Sequence, residues 1–168
     1  MSTVNGIFVS LTTSTQGWAG TDNHLYVGLV GTVGGREFAL GVDDFDDFEE
    51  GTVVPYSIGP GAGFFGGRVP ATAPSALAEM TICLPNVTHV YLRKQGDPTF
   101  QGDDAWRLAN AVVLLIADDH PTRLFVSTGP ATLGNEYGLQ VWLAESVGGG
   151  RYRDARIPID GTAECEDD

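Results

Sequence analysis

Lysine, cysteine and long apolar runs are all scarce in this chain of 168 residues. Lys94 is the single lysine, and Cys83 and Cys165 are the two cysteines. Two cysteines so far apart have no metal-binding spacing, so we expect reduced thiols, with a disulfide as the alternative. The longest apolar stretch, residues 109–117, is interrupted by Asn110 and is too short to span a bilayer.

A secretory signal and a surplus of basic residues are also lacking. The first residues, MSTVNG, show no basic region followed by an apolar run, so we predict a cytoplasmic or peripheral membrane protein, with export by another route as the alternative. Nine Lys and Arg stand against 22 Asp and Glu, which gives a net charge of −13. Such a polyanion repels phosphate backbones. This excludes nucleic acid as a partner and disfavours anionic lipid unless cations intervene.

What the sequence does contain is alternation of apolar and polar residues. The pattern occurs in residues 7–12, 25–30, 89–93 and 139–143. A period of two predicts strands with one buried face. Turns rich in glycine separate these segments, and many short strands between such turns are typical of an antiparallel β-sandwich.

Two stretches fit the strand pattern less clearly. Residues 106–117, WRLANAVVLLIA, combine the Ala and Leu of a helix with the Val-Val-Leu-Leu-Ile run of a strand, and both alternatives stay open. Residues 59–76 are rich in Gly, Pro and Ala, and we interpret them as an insert because strand-like sequence resumes on both sides. We assign residues 1–147 to one domain and residues 148–168 to a C-terminal extension that we expect to be loosely ordered.

Four short motifs occur along the chain in a particular order. They are AGTD at residues 19–22, LVG at residues 29–31, DDFEEG at residues 46–51 and WRL at residues 106–108. With these motifs the chain resembles, over about residues 4–126, the PLAT domain named for polycystin, lipoxygenase and alpha-toxin. It is most similar to the N-terminal module of animal lipoxygenases. The resemblance implies an all-β antiparallel sandwich of about eight strands, with loops at one end that bind calcium and dock on lipid or a partner protein.

The resemblance also implies a set of calcium ligands. One site would use the carbonyl oxygens of Trp18 and Ala19 together with Asp103 or Asp104. A second site would use Thr21, Asp22, Asn23, Asp46, Asp47 and Glu49. Gly20 belongs to the same loop of small residues, whose carbonyl oxygens are free to turn inward.

The chemistry of the two loops agrees with a cation site. Calcium takes six to eight oxygen ligands, and crowded carboxylates raise one another's pKa until a divalent cation relieves their repulsion. The alternative is that these acidic residues only keep the surface soluble. Because AGTD and DFEEG occur together in the order of the family, we favour calcium as the cofactor.

Two aromatic side chains are candidates for contact with a membrane or a partner. Trp18 precedes the AGTD motif, and Phe100 lies in the loop before Trp106. In the lipoxygenase modules, aromatic residues of these loops insert into membranes, so the resemblance implies this role for both; packing back onto the sandwich is the alternative. Trp106 is predicted to be core because it opens a strand, and Phe45 and Phe48 are predicted to pin the acidic loop to the sandwich.

The sequence shows no catalytic constellation. Its three histidines are scattered, and no Gly-x-Ser-x-Gly elbow or phosphate-binding glycine loop occurs in the required context. Lipoxygenase catalysis belongs to a large iron domain that 168 residues cannot hold. We therefore predict a non-enzymatic module that docks, with the help of calcium, on membrane lipid or a membrane-associated protein. The alternative is a metal-independent protein-interaction or structural module of the same fold.

Overall fold

The computed structural model describes residues 3–31, 34–79, 81–96, 104–147 and 152–153. Its strands are β1 Gly6–Thr13, β2 Leu25–Gly31, β3 Gly34–Ala39, β4 Val53–Ile58, β5 Val87–Lys94, β6 Trp106–Ala117, β7 His120–Val126, β8 Ala131–Leu133, β9 Gln140–Ser146 and β10 Tyr152–Arg153. The helix α1 is Ala73–Ala78, and two short 3-10 helices are Pro60–Phe65 and Leu84–Asn86. None of the helices in the described residues has the length and apolar character that crossing a membrane requires.

Eight of these strands form one continuous antiparallel path that curls into two layers. The order is β3-β2-β5-β9-β7-β6-β1-β4. Strand β9 belongs to both layers, because residues 140–143 pair with β5 whereas residues 144–146 pair with β7. We call β3, β2 and β5 the first layer and β7, β6, β1 and β4 the second layer. The predicted all-β sandwich of about eight strands is confirmed.

The hydrophobic core lies between the layers and follows from the alternation in each strand. In β1, every second residue from Ile7 to Thr13 is buried, whereas Phe8, Ser10 and Thr12 face away from the core. Trp106 is fully buried, and its indole Nε1 donates a hydrogen bond to Thr13 Oγ1 at 3.0 Å. The prediction that Trp106 is core is therefore confirmed.

Residues 106–117 form the longest strand, β6, and the helix alternative is wrong. Strand β6 pairs with β1 along one edge and with β7 and β8 along the other. The β-branched run fits a pleated surface that has partners on both sides, and this pairing outweighs the modest helix preference of Ala and Leu.

The predicted insert, residues 59–76, covers the outer edge of β4. The Arg68 N–H donates to Pro55 O at 2.9 Å, and the Ser57 N–H donates to Arg68 O at 2.8 Å. An exposed strand edge is a template for unwanted pairing, so the insert protects β4. Helix α1 starts within the insert and continues to Ala78, two residues past the predicted end.

Cys83 is disulfide-bonded, so the expectation of reduced thiols is wrong for this residue, and Cys165 lies outside the described residues.

In the predicted C-terminal extension, Tyr152–Arg153 pairs with Glu145 and Ser146 of β9 as the short strand β10. The other residues of the extension lie outside the described part of the chain, so the expected loose order stays a prediction.

Candidate functional site

Three loops meet at the end of the sandwich where β1 ends and where β4 and β6 begin, which we call the loop end. The first loop is residues 14–24, the second is residues 40–52, and the third is residues 95–105, of which 95–96 and 104–105 are described. A Cβ at Gly20 would lie 3.0 Å from Phe48 O, so glycine permits the first loop to approach the second. Three backbone hydrogen bonds tie the loops: Thr21 N–H to Phe48 O (3.2 Å), Gly51 N–H to Ser14 O (3.0 Å) and Arg107 N–H to Ala19 O (2.9 Å).

An acidic cluster forms where the first two loops meet. Carboxylate oxygens of Asp22, Asp46 and Glu49 all lie within 4.8 Å of one another, and all three side chains are exposed. The negative charge of Asp46 raises the pKa of Glu49, and Asp22 and Asp104 add to the effect. The structure thus brings together three of the predicted ligands in an arrangement that disfavours the ionisation of Glu49.

Asp104 and Thr21 connect the third loop to this cluster. The Asp22 N–H donates to Asp104 Oδ2 at 2.7 Å, and the Thr21 hydroxyl donates to Asp104 O at 3.2 Å. The same hydroxyl oxygen accepts the Asn23 N–H at 3.1 Å, which closes a local turn. Asp104 is therefore placed beside the cluster. Asp103, its alternative in the prediction, lies outside the described residues.

Asp47 does not join the acidic cluster, although the sequence placed it among the ligands. Its side chain turns inward and is only 6% exposed. Its Oδ2 accepts the Val42 N–H at 2.8 Å, and its Oδ1 accepts the Tyr56 hydroxyl at 2.9 Å. Burial raises the pKa of Asp47, and the Asp47 carboxylate and burial together raise the pKa of Tyr56. These contacts make Asp47 an anchor of the second loop.

The cluster lies between two open clefts that share Thr21 and Asp22. One cleft, of about 510 Å³, also contacts Trp18, Glu49 and Asp104. The other, of about 350 Å³, is lined by Asn23 and Asp46 among others. The Asn23 amide nitrogen is buried without a hydrogen-bond partner. Since a 180° rotation of an amide exchanges N and O, this position equally suits the amide oxygen, which is a cation ligand.

Trp18 projects from the first loop into solvent. Its side chain is 94% exposed, and its φ of 64° lies in the left-handed region that non-glycine residues rarely adopt. Such a backbone costs a typical L-residue about 1–2 kcal/mol. The alternative that Trp18 packs back onto the sandwich is wrong, and Phe100, the other predicted contact residue, lies outside the described residues.

The other aromatic residues of the second loop hold it in place. Phe48 is buried and packs edge-on against Trp106 at a centroid distance of 6.2 Å. Phe45 is partly buried against the core, with the Arg68 guanidinium 3.0 Å from the ring centroid. The prediction that both rings pin the acidic loop is confirmed.

Tyr137 is an exposed aromatic residue at the loop end that sequence reasoning missed. It is 62% exposed and lies between β8, which runs toward the start of β6, and β9. Its N–H donates to Gly134 O at 3.1 Å in a tight turn. The sequence Gly-Asn-Glu-Tyr-Gly could have indicated it, because a Tyr between turn residues is rarely core.

No protein-family model matches the sequence, and a search of curated proteins also finds no match. Solved structures do match. The coral 8R-lipoxygenase, described as activated by calcium through a C2-like domain, superposes with a TM-score of 0.53 at 15% identity, over 84% of this chain and 17% of that one. A lipoxygenase variant in complex with arachidonate gives a TM-score of 0.50 at 17% identity, over 84% of this chain and 16% of that one.

The alpha toxin of Clostridium absonum gives a TM-score of 0.47 at 19% identity, over 77% of this chain and 31% of the toxin. The chain spans about a sixth of the length of the two lipoxygenases. At these identities the similarity concerns the fold. The PLAT fold that the four motifs predicted is confirmed.

Proposed function

We propose that this protein is a non-enzymatic module that docks on a membrane surface through its loop end, with calcium as a cofactor. The observation that carries the proposal is the position of the exposed Trp18 beside three mutually close carboxylates. In this arrangement a cation held by the cluster and the apolar side chain of Trp18 would contact the same membrane surface. The coral 8R-lipoxygenase, described as activated by calcium through a C2-like domain, supports the proposal by its shared fold.

The residues at the loop end supply the oxygen ligands that calcium prefers. Asp22, Asp46 and Glu49 would be the principal ligands, with Asp104 beside them. The carbonyl oxygens of Trp18 and Gly20 and the side chains of Thr21 and Asn23 complete the proposed set. The predicted Ala19 carbonyl is left out of it because Ala19 is buried and this oxygen accepts the Arg107 N–H. Calcium would neutralise a cluster whose own charges raise the pKa of Glu49. Asp47 would act indirectly, by holding the second loop.

Trp18 supplies the apolar part of the contact. Burying a side chain of this kind contributes about 1.5–3 kcal/mol, which gives weak and reversible docking. Tryptophan suits the membrane interface because its ring is apolar while its N–H stays hydrated. Tyr137 would add a second contact at the same end. Bound calcium would reduce the repulsion between a protein of net charge −13 and lipid phosphates.

Calorimetry tests the metal. Calcium titrated into the wild type should bind with a dissociation constant on the order of 10⁻⁴–10⁻³ M. Asp46→Asn and Glu49→Gln should weaken binding at least about tenfold, since each removes a proposed ligand. Asp44→Asn is the matched control, because Asp44 lies in the same loop but outside the cluster. The absence of heat and of a thermal shift at millimolar calcium would contradict the proposal, as would an equal loss in Asp44→Asn.

Vesicle sedimentation tests the docking. Phosphatidylcholine vesicles, with and without phosphatidylserine, are mixed with the protein in calcium or in EDTA. The wild type should pellet in calcium, and Trp18→Gly should stay in the supernatant. Glycine accepts the positive φ of residue 18, so this variant keeps the loop conformation. Trp142→Ala is the control, because Trp142 is also an exposed tryptophan but lies on β9, where it pairs with Tyr91 of the first layer.

If wild-type protein binds calcium but never pellets with either lipid, the membrane part of the proposal is wrong. If the protein neither binds calcium nor pellets with either lipid, the metal-independent interaction module becomes the better interpretation.

A further inference from the structure

The second layer has an outward face without acidic residues. None of the residues in β1, β4, β6 and β7 is Asp or Glu, although the protein has 22 of them. The two arginines of these strands lie elsewhere: Arg123 forms a buried ion pair with Glu145 at 2.8 Å, and Arg107 donates to Gln16 at the loop end. Asp118 and Asp119 lie in the turn between β6 and β7, at the rim of this face.

Aliphatic and aromatic side chains form rows across this face. Phe8 is the register partner of Leu114, which is the partner of Leu124. In the next row Val112 pairs with Val126, and β1 contributes the polar Ser10. The five apolar residues are half-buried and alternate with the core residues of their strands. We call these five side chains the apolar face. An apolar patch on one side of a sheet marks an interaction surface when it is contiguous.

Phe64 stands beside the apolar face as a protruding aromatic side chain. The ring of Phe65 packs on Phe8 at a centroid distance of 5.2 Å, and the ring of Phe64 packs on Phe65 at 5.8 Å. Phe64 is 95% exposed. The 3-10 helix therefore lifts one aromatic residue above the β1 side of the face, whereas Leu124 and Val126 on the β7 side are half-buried.

We propose that the apolar face and Phe64 form a two-fold interface, with a second copy of this chain as the partner. The charge of the protein favours a second copy at this face. Two copies with net charge −13 repel each other, and a surface without carboxylates lets them meet while their charges stay apart and hydrated. A cationic partner would instead be drawn to the acidic loop end.

The position of Phe64 also fits a two-fold arrangement. In a two-fold dimer the same patch contributes from both copies, so a protrusion must fit a flat region of its own face. Phe64 lies on the β1 side, whereas Leu124 and Val126 lie on β7 at the other side. A two-fold axis between them places the Phe64 ring of each copy on the β6–β7 region of the other.

The size of the face sets the expected affinity. Four strands about 4.8 Å apart and about six residues long give a face of roughly 15 by 20 Å. Two such faces bury roughly 600 Å² in total, about half of the roughly 1,200 Å² at which stable specific interfaces begin, so the dimer should be weak, with a dissociation constant on the order of 10⁻⁴ M or above.

Sedimentation equilibrium over about 1 µM to about 1 mM protein tests the proposal, in EDTA so that calcium plays no part. The wild type should form dimers, and raising NaCl from about 50 to about 500 mM should tighten them because salt screens the mutual repulsion. Phe64→Asp should weaken dimerisation at least about tenfold, since it places a carboxylate in an apolar contact. Val126→Thr, which keeps the size and β-branch, should weaken it by a smaller factor.

Trp18→Asp is the matched control for Phe64→Asp, because it makes the same replacement at an equally exposed aromatic residue of the loop end. It should dimerise like the wild type. A wild type that stays monomeric over the whole range at both salt concentrations overturns the proposal. Equal effects of the two Asp variants, or a dimer that salt dissociates, overturn it as well.

Discussion

Glu37 and Glu49 are the same side chain in opposite electrostatic surroundings. Glu37, on the outward face of the first layer, accepts two hydrogen bonds of 2.6 Å from the Arg93 guanidinium and one of 2.9 Å from the Tyr91 hydroxyl. The bonds from Arg93 hold the pKa of Glu37 below its usual value. Glu49, at the loop end, faces Asp46, Asp22 and Asp104, and its pKa is raised.

The two surroundings differ in whether the fold itself places a cation beside the carboxylate. On the first layer the chain provides Arg93, so the charges are balanced within the fold. At the loop end the three clustered carboxylates repel one another, and a divalent cation from solution would relieve that repulsion. Glu37 thus has a cationic partner and Glu49 has none among the described residues, and substitutions can change these contacts at either place.

The largest effect is expected at Asp47, which lies in the acidic loop but, unlike the exposed Glu49, is buried and has a hydrogen-bond donor for each carboxylate oxygen. Asp47→Ala leaves the Val42 N–H and the Tyr56 hydroxyl without their acceptor. Loss of buried hydrogen bonds to a charged group should lower the free energy of unfolding by about 3 kcal/mol. Urea denaturation measures it. Asp46→Ala is the control and should not destabilise the fold; similar losses in both variants would contradict the assignment of Asp47 as an anchor.

A smaller effect is expected when Glu37 loses its cation. Arg93→Met keeps much of the side-chain volume and removes the charge, so Glu37 retains only the hydrogen bond from the Tyr91 hydroxyl. Because the pair is partly exposed, the loss in unfolding free energy should be about 1 kcal/mol. Arg36→Met is the control, since the Arg36–Glu79 pair is more exposed, and it should have almost no effect. Equal losses of unfolding free energy in the two variants would show that the Arg93–Glu37 pair stabilises the fold no more than the exposed Arg36–Glu79 pair does.

The pair of Glu37 and Arg93 should also affect how stability depends on pH, with a smaller change in unfolding free energy. A carboxylate whose pKa is lowered on folding stabilises the protein above its unfolded pKa, near 4.5 for Glu, and this stability is lost as pH falls through the folded value. From about pH 5 downward, the wild type should therefore lose stability more steeply than Glu37→Gln. Thermal unfolding at a series of pH values measures this. Parallel curves for the two proteins would contradict a lowered pKa.

The smallest effect on stability is expected from Asp46→Asn without calcium. Removing the charge that contributes most to the raised pKa of Glu49 relieves repulsion, so the thermal midpoint in EDTA should rise slightly. With calcium added, the wild type should gain more than the variant, which has lost a proposed ligand. A fall of the variant's midpoint in EDTA would mean that Asp46 is structural.

The sequence predicts the strands and the approximate place of the loops well, because alternation and turn residues are local signals. It could not separate Asp46 from Asp47, since neighbours on a loop follow no fixed period and only packing decides which one faces Tyr56. One signal was present: Tyr56 lies at a buried position of β4, and a buried hydroxyl needs a partner. The assignment of residues 106–117 required knowledge that β1 and β7 lie on either side of them, which no local pattern contains.

The pairing of β1 with β6 has a consequence for how the chain folds during synthesis. Gly6 lies opposite Ile116, so the first strand cannot complete its pairing until most of the domain has left the ribosome. Contacts so distant in sequence slow folding. In the interval β1 and β4 are exposed without any carboxylate to discourage association. We expect this nascent chain to depend on chaperones, and a truncated chain that ends before β6 to aggregate.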